Sequence, residues 1–332
     1  MMKNTIREIA KLSGFSIKTV SRVINDEPNV KPTTKDKVLK VISETNYKPN
    51  IYAANLNNKK TKNVLISIRK THGQHTTKWF DILMSYLVGE ASRKKYTLIQ
   101  EVIYDDSDLQ NSILERSGGY IDVIVLFYLT DDDKRFEVAQ KNNIPYLAFE
   151  KTDYVPLTVS NNNRKGMQEA ARFLFSRGLT QVCLLLGAHM NVNQERARAM
   201  IEAYEQDQVS LDQLEIVYNM STLEDIDRFV EERIEQNRLP QVFFVSGDEK
   251  AIAVYHSLYR HGLSIPQDVS VIGFDNIPIS QYYTPPLTTV GQDFEQLALK
   301  MFDIIDQILE NKEDIRSVEV DPKLIIRDSV KK

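Results

Sequence analysis

Apolar positions recur along this chain with two different periods, and the change of period divides it. Near the start, Ile6, Ile9, Ala10 and Leu12 follow a helical period, and Thr5 with Glu8 three residues later has capping-box spacing. A helix is therefore predicted from residue 6 to about residue 13, ended by Gly14. Ser16 can cap a second helix whose inward stripe is Val20, Val23 and Ile24. After Pro32, Thr33 and Asp36 can cap a third, with Val38, Leu39, Val41 and Ile42 as its core face. Two helices joined by a short glycine-containing turn and closed by a third make a small all-α helix-turn-helix head over residues 1–48. Beyond a linker of Asn, Lys and Thr ending at Lys62, short apolar runs alternate with amphipathic segments. Strands are predicted at 64–68, 98–102, 123–127 and 146–149, then at 182–186, 216–218, 242–245 and 269–274. Helices are expected near 80–95, 107–115, 133–142, 165–177, 194–207, 223–236 and 248–262. The βαβ rhythm stops and restarts, which predicts two α/β lobes.

Charge sharpens this division. The chain of 332 residues carries a net −4, yet residues 1–62 hold thirteen Lys and Arg against five Asp and Glu, a net of +8, leaving −12 for the rest. One end is built for a polyanion. With 42% hydrophobic and 27% charged residues the composition is that of an ordinary globular protein. No apolar run is long enough to span a bilayer and the N-terminus lacks signal-peptide features, so a cytoplasmic protein is expected. The single cysteine, Cys183, lies in an apolar run and reads as a small buried hydrophobe.

Within the head, the second helix is the one that enters the major groove. Arg22 can present a bidentate fork to guanine or hold a phosphate, Lys18 can reach the same acceptors, and Ile17 can make apolar contact with a thymine methyl. Ser16, Thr19, Ser21, Asn25 and Asn29 suit phosphate contact or capping. Residues 49–62 form a hinge segment in which Asn50, Ala53 and Leu56 repeat every three residues after a proline. So short a helix needs a partner, and Leu56 could wedge between base steps of the minor groove or serve as an ordinary core leucine.

The stretches TIREIAKLSGFSIKTVSRVIN and NYKPNIYAANL together strongly resemble the DNA-binding head and hinge of the LacI/GalR family of bacterial regulators. The resemblance implies a homodimer on a palindromic double-stranded operator, with Leu56 prying open a central step. Residues 63–332 look like that family's effector domain, similar in fold to periplasmic sugar-binding proteins, and SVIGFDNIPISQYYTPPLTTV is the most specific stretch. The lobes would then be an N-lobe of about 63–160 plus 292–318 and a C-lobe of about 161–291 plus 319–332. The sequence carries no Walker loop, G-x-G-x-x-G, G-x-S-x-G or H-E-x-x-H motif, so no cofactor, metal or enzymatic activity is expected. His72 and His75 share a loop without the further ligands a zinc site needs, and Asp131, Asp132 and Asp133 read as a solvated helix start.

Ligands of open α/β sheets bind beyond the carboxyl ends of strands, where Asp275, Asp248 and Arg196 are candidates, although on the residues alone a structural role, as helix cap or surface residue, stands ahead of ligand contact. The resemblance implies that Asp275 accepts hydrogen bonds from effector hydroxyls and that Arg196 is the effector-binding arginine, with Arg198 as the rival alignment. It also implies that Trp79 and Phe80 are an aromatic pair stacking on the effector, with core packing as the alternative for Phe80 more than for the lone tryptophan. Three departures stand out. The family's N-P-F-F reads Thr77-Lys78-Trp79-Phe80, its D-N reads Asn162-Asn163, and its A-N-D or S-N-D reads Ser246-Gly247-Asp248. The expected function is a transcription regulator, a repressor of a carbohydrate-utilisation operon controlled by a sugar-like effector between the lobes. The alternative is a relative gated by a partner protein, with a vestigial cleft.

Overall fold

The computed structural model describes residues 5–24, 30–45, 47, 61–70, 77–116, 120–130, 133–152 and 154–332. The chain divides into two units, Met1–Thr61 and Lys62–Lys332. In the first, α1 (Ile6–Ser13), α2 (Ile17–Ile24) and α3 (Pro32–Thr45) pack around Ile9, Ala10, Val20, Val23 and Val38. The Glu8 carboxylate reaches back to the Thr5 amide at 2.6 Å, and Gly14 closes α1 at φ 75°, a conformation glycine adopts without steric cost. The Ser16 hydroxyl accepts from the Thr19 amide at 3.1 Å and caps α2. For α3 the expected caps are corrected. The helix begins at Pro32, which has no N–H to satisfy, and the amides of Thr34 and Lys35 bond the Lys31 carbonyl. Thr33 and Asp36 thus lie inside the helix. Leu39 is exposed, so the buried face of α3 is narrower than its apolar pattern.

The second unit holds two six-stranded sheets. The first contains β1 (Asn63–Arg69), β2 (Thr97–Ile103), β3 (Val123–Phe127), β4 (Tyr146–Phe149), β5 (Thr158–Asn161) and β11 (Val318–Val320), all parallel, in the order 11-5-4-3-1-2. The second contains β6 (Val182–Leu185), β7 (Leu214–Val217), β8 (Val242–Val245), β9 (Ser270–Asp275), β10 (Thr288–Gly291) and β12 (Lys323–Ile325), in the order 12-10-9-8-6-7. Only β12 runs antiparallel to its neighbour there. Helices α4 (Lys78–Lys94) and α11 (Phe294–Leu309) cover the first sheet, and α7 (Asn163–Phe175), α8 (Asn191–Gln206), α9 (Leu223–Glu235) and α10 (Asp248–Arg260) cover the second. The chain crosses between lobes after β5, after β10 and after β11. Because Val318–Val320 pairs with β5, Glu319 and Val320 side with the first lobe.

The helix expected near 107–115 is broken at Ser112, whose hydroxyl donates back to the Leu109 carbonyl and accepts from the Glu115 amide. A 3₁₀ turn precedes it and one turn of α5 (Ile113–Arg116) follows. Asp133 is not a solvated helix start. It is fully buried and paired with the equally buried Arg135, which opens α6 (Arg135–Lys141) and also donates to the carbonyls of Ser67 and Phe127. One fork thereby binds a carbonyl within β1 and the last carbonyl of β3. Cys183 is buried in the second lobe's core, and burial pushes its thiol well above the usual range. Asn25, Asn29, Leu56, His72, His75, Asp131 and Asp132 lie outside the described residues.

Candidate functional site

Both sheets of the second unit end their strands at a common cavity of about 220 Å³. Tyr128 and Leu129 follow β3, Glu150 and Lys151 follow β4, Gly187 and Ala188 follow β6, Ser246 and Gly247 follow β8, Asp275 ends β9 and Gln292 follows β10. This is where open α/β sheets place ligands. The N-terminal turn of α8 closes one side with Met190, Asn193 and Arg196. Three lining residues, Tyr128 at φ 55°, Glu150 at φ 76° and Asp275 at φ 114°, sit in left-handed backbone conformations that side chains rarely adopt. Strain of this kind collects at functional sites, where the surrounding fold holds it.

Arg196 is buried and fixed from several directions. Its Nε donates to Asn163 Oδ1 at 2.9 Å, its Nη1 to Ser246 Oγ at 2.6 Å, and the guanidinium lies 3.7 Å from the centre of the Phe274 ring. Such a fork is held ready for planar recognition. Arg198 is exposed on the other side of α8, so the cavity takes Arg196 and not its rival. Across the cavity, Gln292 Nε2 donates to Asp275 Oδ1 at 2.5 Å, and Gln292 is itself held by Asn161. Burial pushes the carboxyls of Asp275 and Glu150 up to about 7, with Arg196 pulling each the other way. Burial brings Lys250 down to about 8.

Trp79 lines the cavity, stacked on Phe149 at 5.5 Å and beside Tyr128 at 5.8 Å. Its expected partner does not join it. Phe80 is buried in the first lobe's core, edge-on to Phe127 at 5.1 Å, because consecutive helical positions diverge by about 100°. Asp248 is also displaced from its expected place. It is fully buried beneath β9, where Oδ1 accepts from Thr289 Oγ1 at 2.5 Å and Oδ2 from the Ile277 amide at 3.0 Å. A Cβ on Gly273 would lie 2.2 Å from Asp248 Oδ1, so that glycine makes room for the carboxyl. Asp248 ties α10 to the turn after β9 and does not line the cavity.

In the first unit, α2 presents Ser16, Ile17, Lys18 and Arg22 as exposed, with Thr19 and Ser21 half-buried at its flanks, while Val20 and Val23 point inward. Residues 5–50 match the description "Bacterial regulatory proteins, lacI family", and residues 171–330 match "Periplasmic binding protein-like domain". The chain belongs to the lacI family of bacterial regulatory proteins. It is 28% identical to the probable HTH-type transcriptional repressor ExuR of Bacillus subtilis (strain 168), covering 99% of this chain and 98% of that protein. Two solved structures share the fold. A Lac repressor dimer bound to operator and the anti-inducer ONPF has a TM-score of 0.83 at 21% identity, covering 99% of both chains. A complex of the transcriptional regulator CelR with cellobiose has a TM-score of 0.70 at 22% identity, covering 98% of this chain and 99% of the other. As a lacI-family member the chain is a DNA-binding transcription regulator and not an enzyme.

Several cavity residues escaped sequence reasoning. Glu150 directly follows a strand read correctly, and the strand-end rule applied evenly would have found it. Gln292 follows Thr288–Gly291, a strand too short and polar to announce itself. Lys250 is the third residue of α10, beyond the loop where strand-end reasoning looks, and reaches back along its stem. Glu249 accepts from the Lys78 amide at 2.9 Å, a bond between the lobes that no local pattern encodes. Among the described residues no helix is long and apolar enough to cross a membrane, and no cluster of His, Cys, Asp and Glu could hold a metal ion.

Proposed function

We propose that this regulator is a repressor that grips a palindromic operator as a homodimer and is switched by a small, sugar-like effector bound between its lobes, in control of a carbohydrate-utilisation operon. The observation that carries the reading is the convergence of Trp79, Arg196 and Asp275 on one cavity at the strand ends of both lobes. An aromatic face, a rigid guanidinium and a carboxylate are the groups that clustered hydroxyls on an apolar ring require. The repressor named among its relatives and the operator-bound dimer and cellobiose complex among structures of the same fold support it. On the DNA side, Ile17, Lys18 and Arg22 are assigned to base edges, and Ser16, Thr19 and Ser21 to phosphates. Asn25 and Asn29 are likewise assigned to phosphate contact or capping, and Leu56 keeps the prying role that the family resemblance implies.

An operator selected from a random duplex pool, followed by anisotropy titration with and without candidate effectors, tests the switch. Arg196→Ala and Asp275→Ala are expected to keep DNA affinity within about twofold and to lose the effector response. A normal response from both would sink the cleft assignment. The partner-gated alternative drew on the missing side chain at Gly247. That space is not empty, because a Cβ there would lie 2.9 Å from Lys250 Cε, and the lysine stem takes the place.

A further inference from the structure

Two cations face the cavity without a carboxylate within 4.0 Å among the described residues. Both partners that Arg196 holds, Asn163 Oδ1 and Ser246 Oγ, are neutral, and Lys250 Nζ donates only to the Met220 carbonyl, at 3.2 Å. The third lining cation, Lys151, is paired with Glu319 at 3.3 Å. The cavity's carboxylates are engaged elsewhere: Asp275 by Gln292, Glu249 by the Lys78 amide, and Glu150 by Asn163 Nδ2 at 3.3 Å. Acids and cations share the cavity without joining into ion pairs.

The lysine head occupies a corner built by the absence of side chains. Gly247, at φ 133°, leaves room for its stem, and its Nζ comes 3.7 Å from where a Cβ on Gly187 would sit. Two further polar groups border that same point, Asn193 Nδ2 at 3.3 Å and Ser221 Oγ at 3.8 Å. Asn193 Nδ2 spends one N–H on the Ala188 carbonyl at 2.7 Å and has a second to give. An ammonium, an amide and a hydroxyl thus cluster over the Gly187 backbone on the cavity wall. Asp275, Glu150 and Glu249 act on these cations only at a distance, so a neutral ligand would leave Lys250 and Arg196 buried with hydrogen bonds to neutral acceptors and no directly paired carboxylate.

We infer that the effector carries an anionic oxygen group, a carboxylate or a phosphate on a sugar-like ring, and that Lys250 seats this group in the corner formed by Gly187, Asn193 and Ser221, with Arg196 as the second positive charge. This rests on the reading of the cleft as a small-molecule site. The geometry makes Lys250 a specificity-determining residue, and an acidic group replaces the missing ion pairs with charge-assisted hydrogen bonds.

The test is calorimetry and thermal shift on the full-length protein with matched probes: D-glucose against D-glucuronate and glucose 6-phosphate, and D-galactose against D-galacturonate. At least one acidic member is expected to bind tenfold or more tightly than its neutral counterpart, and whether the uronates or the phosphate respond identifies which oxyanion the corner takes. Lys250→Met, which keeps the stem and removes the charge, is expected to erase that preference. A neutral sugar binding as tightly as its acidic counterpart to the wild-type protein overturns the inference and leaves the cleft reading standing. Silence from every probe removes both.

Discussion

Asp275 illustrates how a single residue can be placed against its own interest. Its carboxyl is buried, its backbone is left-handed at φ 114°, and burial pushes it up to about 7. Because the folded value lies above the unfolded one, the folded state binds more protons between about pH 4 and pH 7, and its stability falls as pH rises through that window. Glu150, also held at about 7, adds in the same direction. Asp275→Asn removes the charge and keeps the acceptor. Without ligand it should melt above the wild type by about 2–4 °C at pH 8, with the gap closing towards pH 5, by calorimetry across that range. A gap that widens on acidification would contradict the assigned shift. Trp79 and Phe80 separate site from core in the same way. Trp79→Ala should weaken effector binding with little loss of stability, whereas Phe80→Ala should cost about 3–5 kcal/mol and leave the cavity wall in place. The sequence shows two adjacent aromatics on one helix, and residue type makes the phenylalanine the readier core residue without deciding the matter. That choice is made by Phe127 and the rest of the first lobe's core.

At the scale of elements, α4 and α10 meet across the cleft at their first turns, where the Glu249 carboxylate accepts from the Lys78 amide. A carboxylate between two helix N-termini is favoured by both dipoles. The bond is exposed, so its worth is about 1 kcal/mol, enough to move an equilibrium between closed and open lobes about fivefold. Glu249→Ala is therefore expected to shift the ligand-free protein towards open forms, seen as a larger radius of gyration by small-angle scattering, with effector restoring the compact value. An unchanged radius would show that the bond does not set the closure. The strands that make the cleft were unevenly legible. Val123–Phe127 and Val242–Val245 stand out as unbroken apolar runs because parallel strands are covered on both faces. Thr158–Asn161, Thr288–Gly291 and the two C-terminal strands carry too few apolar residues to announce themselves. They exist because neighbouring strands supply the hydrogen bonds, and they are the segments at which the chain crosses between lobes.

For the whole molecule, the charge division of the sequence already separates a polyanion-binding head from an acidic body, but it says nothing of how copies associate. The second unit exposes large apolar residues on neighbouring elements. Ile252 and Tyr259 lie on α10, which packs against the 3₁₀ turn Pro278–Tyr282 carrying Ile279 and Tyr282, and Pro278 shares a groove with Ile82 and Tyr86 of α4. Tyr259 is 83% exposed and Tyr282 74%, far more than such side chains need for folding. Exposed large apolar side chains on elements that pack side by side are what an isologous interface between two copies uses. Tyr259→Asp with Tyr282→Asp should therefore yield a monomer by sedimentation velocity while the effector-dependent thermal shift persists, since neither residue lines the cleft. Operator affinity should fall by about 10²–10⁴, because each half-site would then be held by one head without the second tethered beside it. The fall should be far smaller on a duplex carrying a single half-site. A double variant that stays dimeric places the interface elsewhere, and a monomer that keeps full operator affinity means that the heads do not depend on the body to be paired.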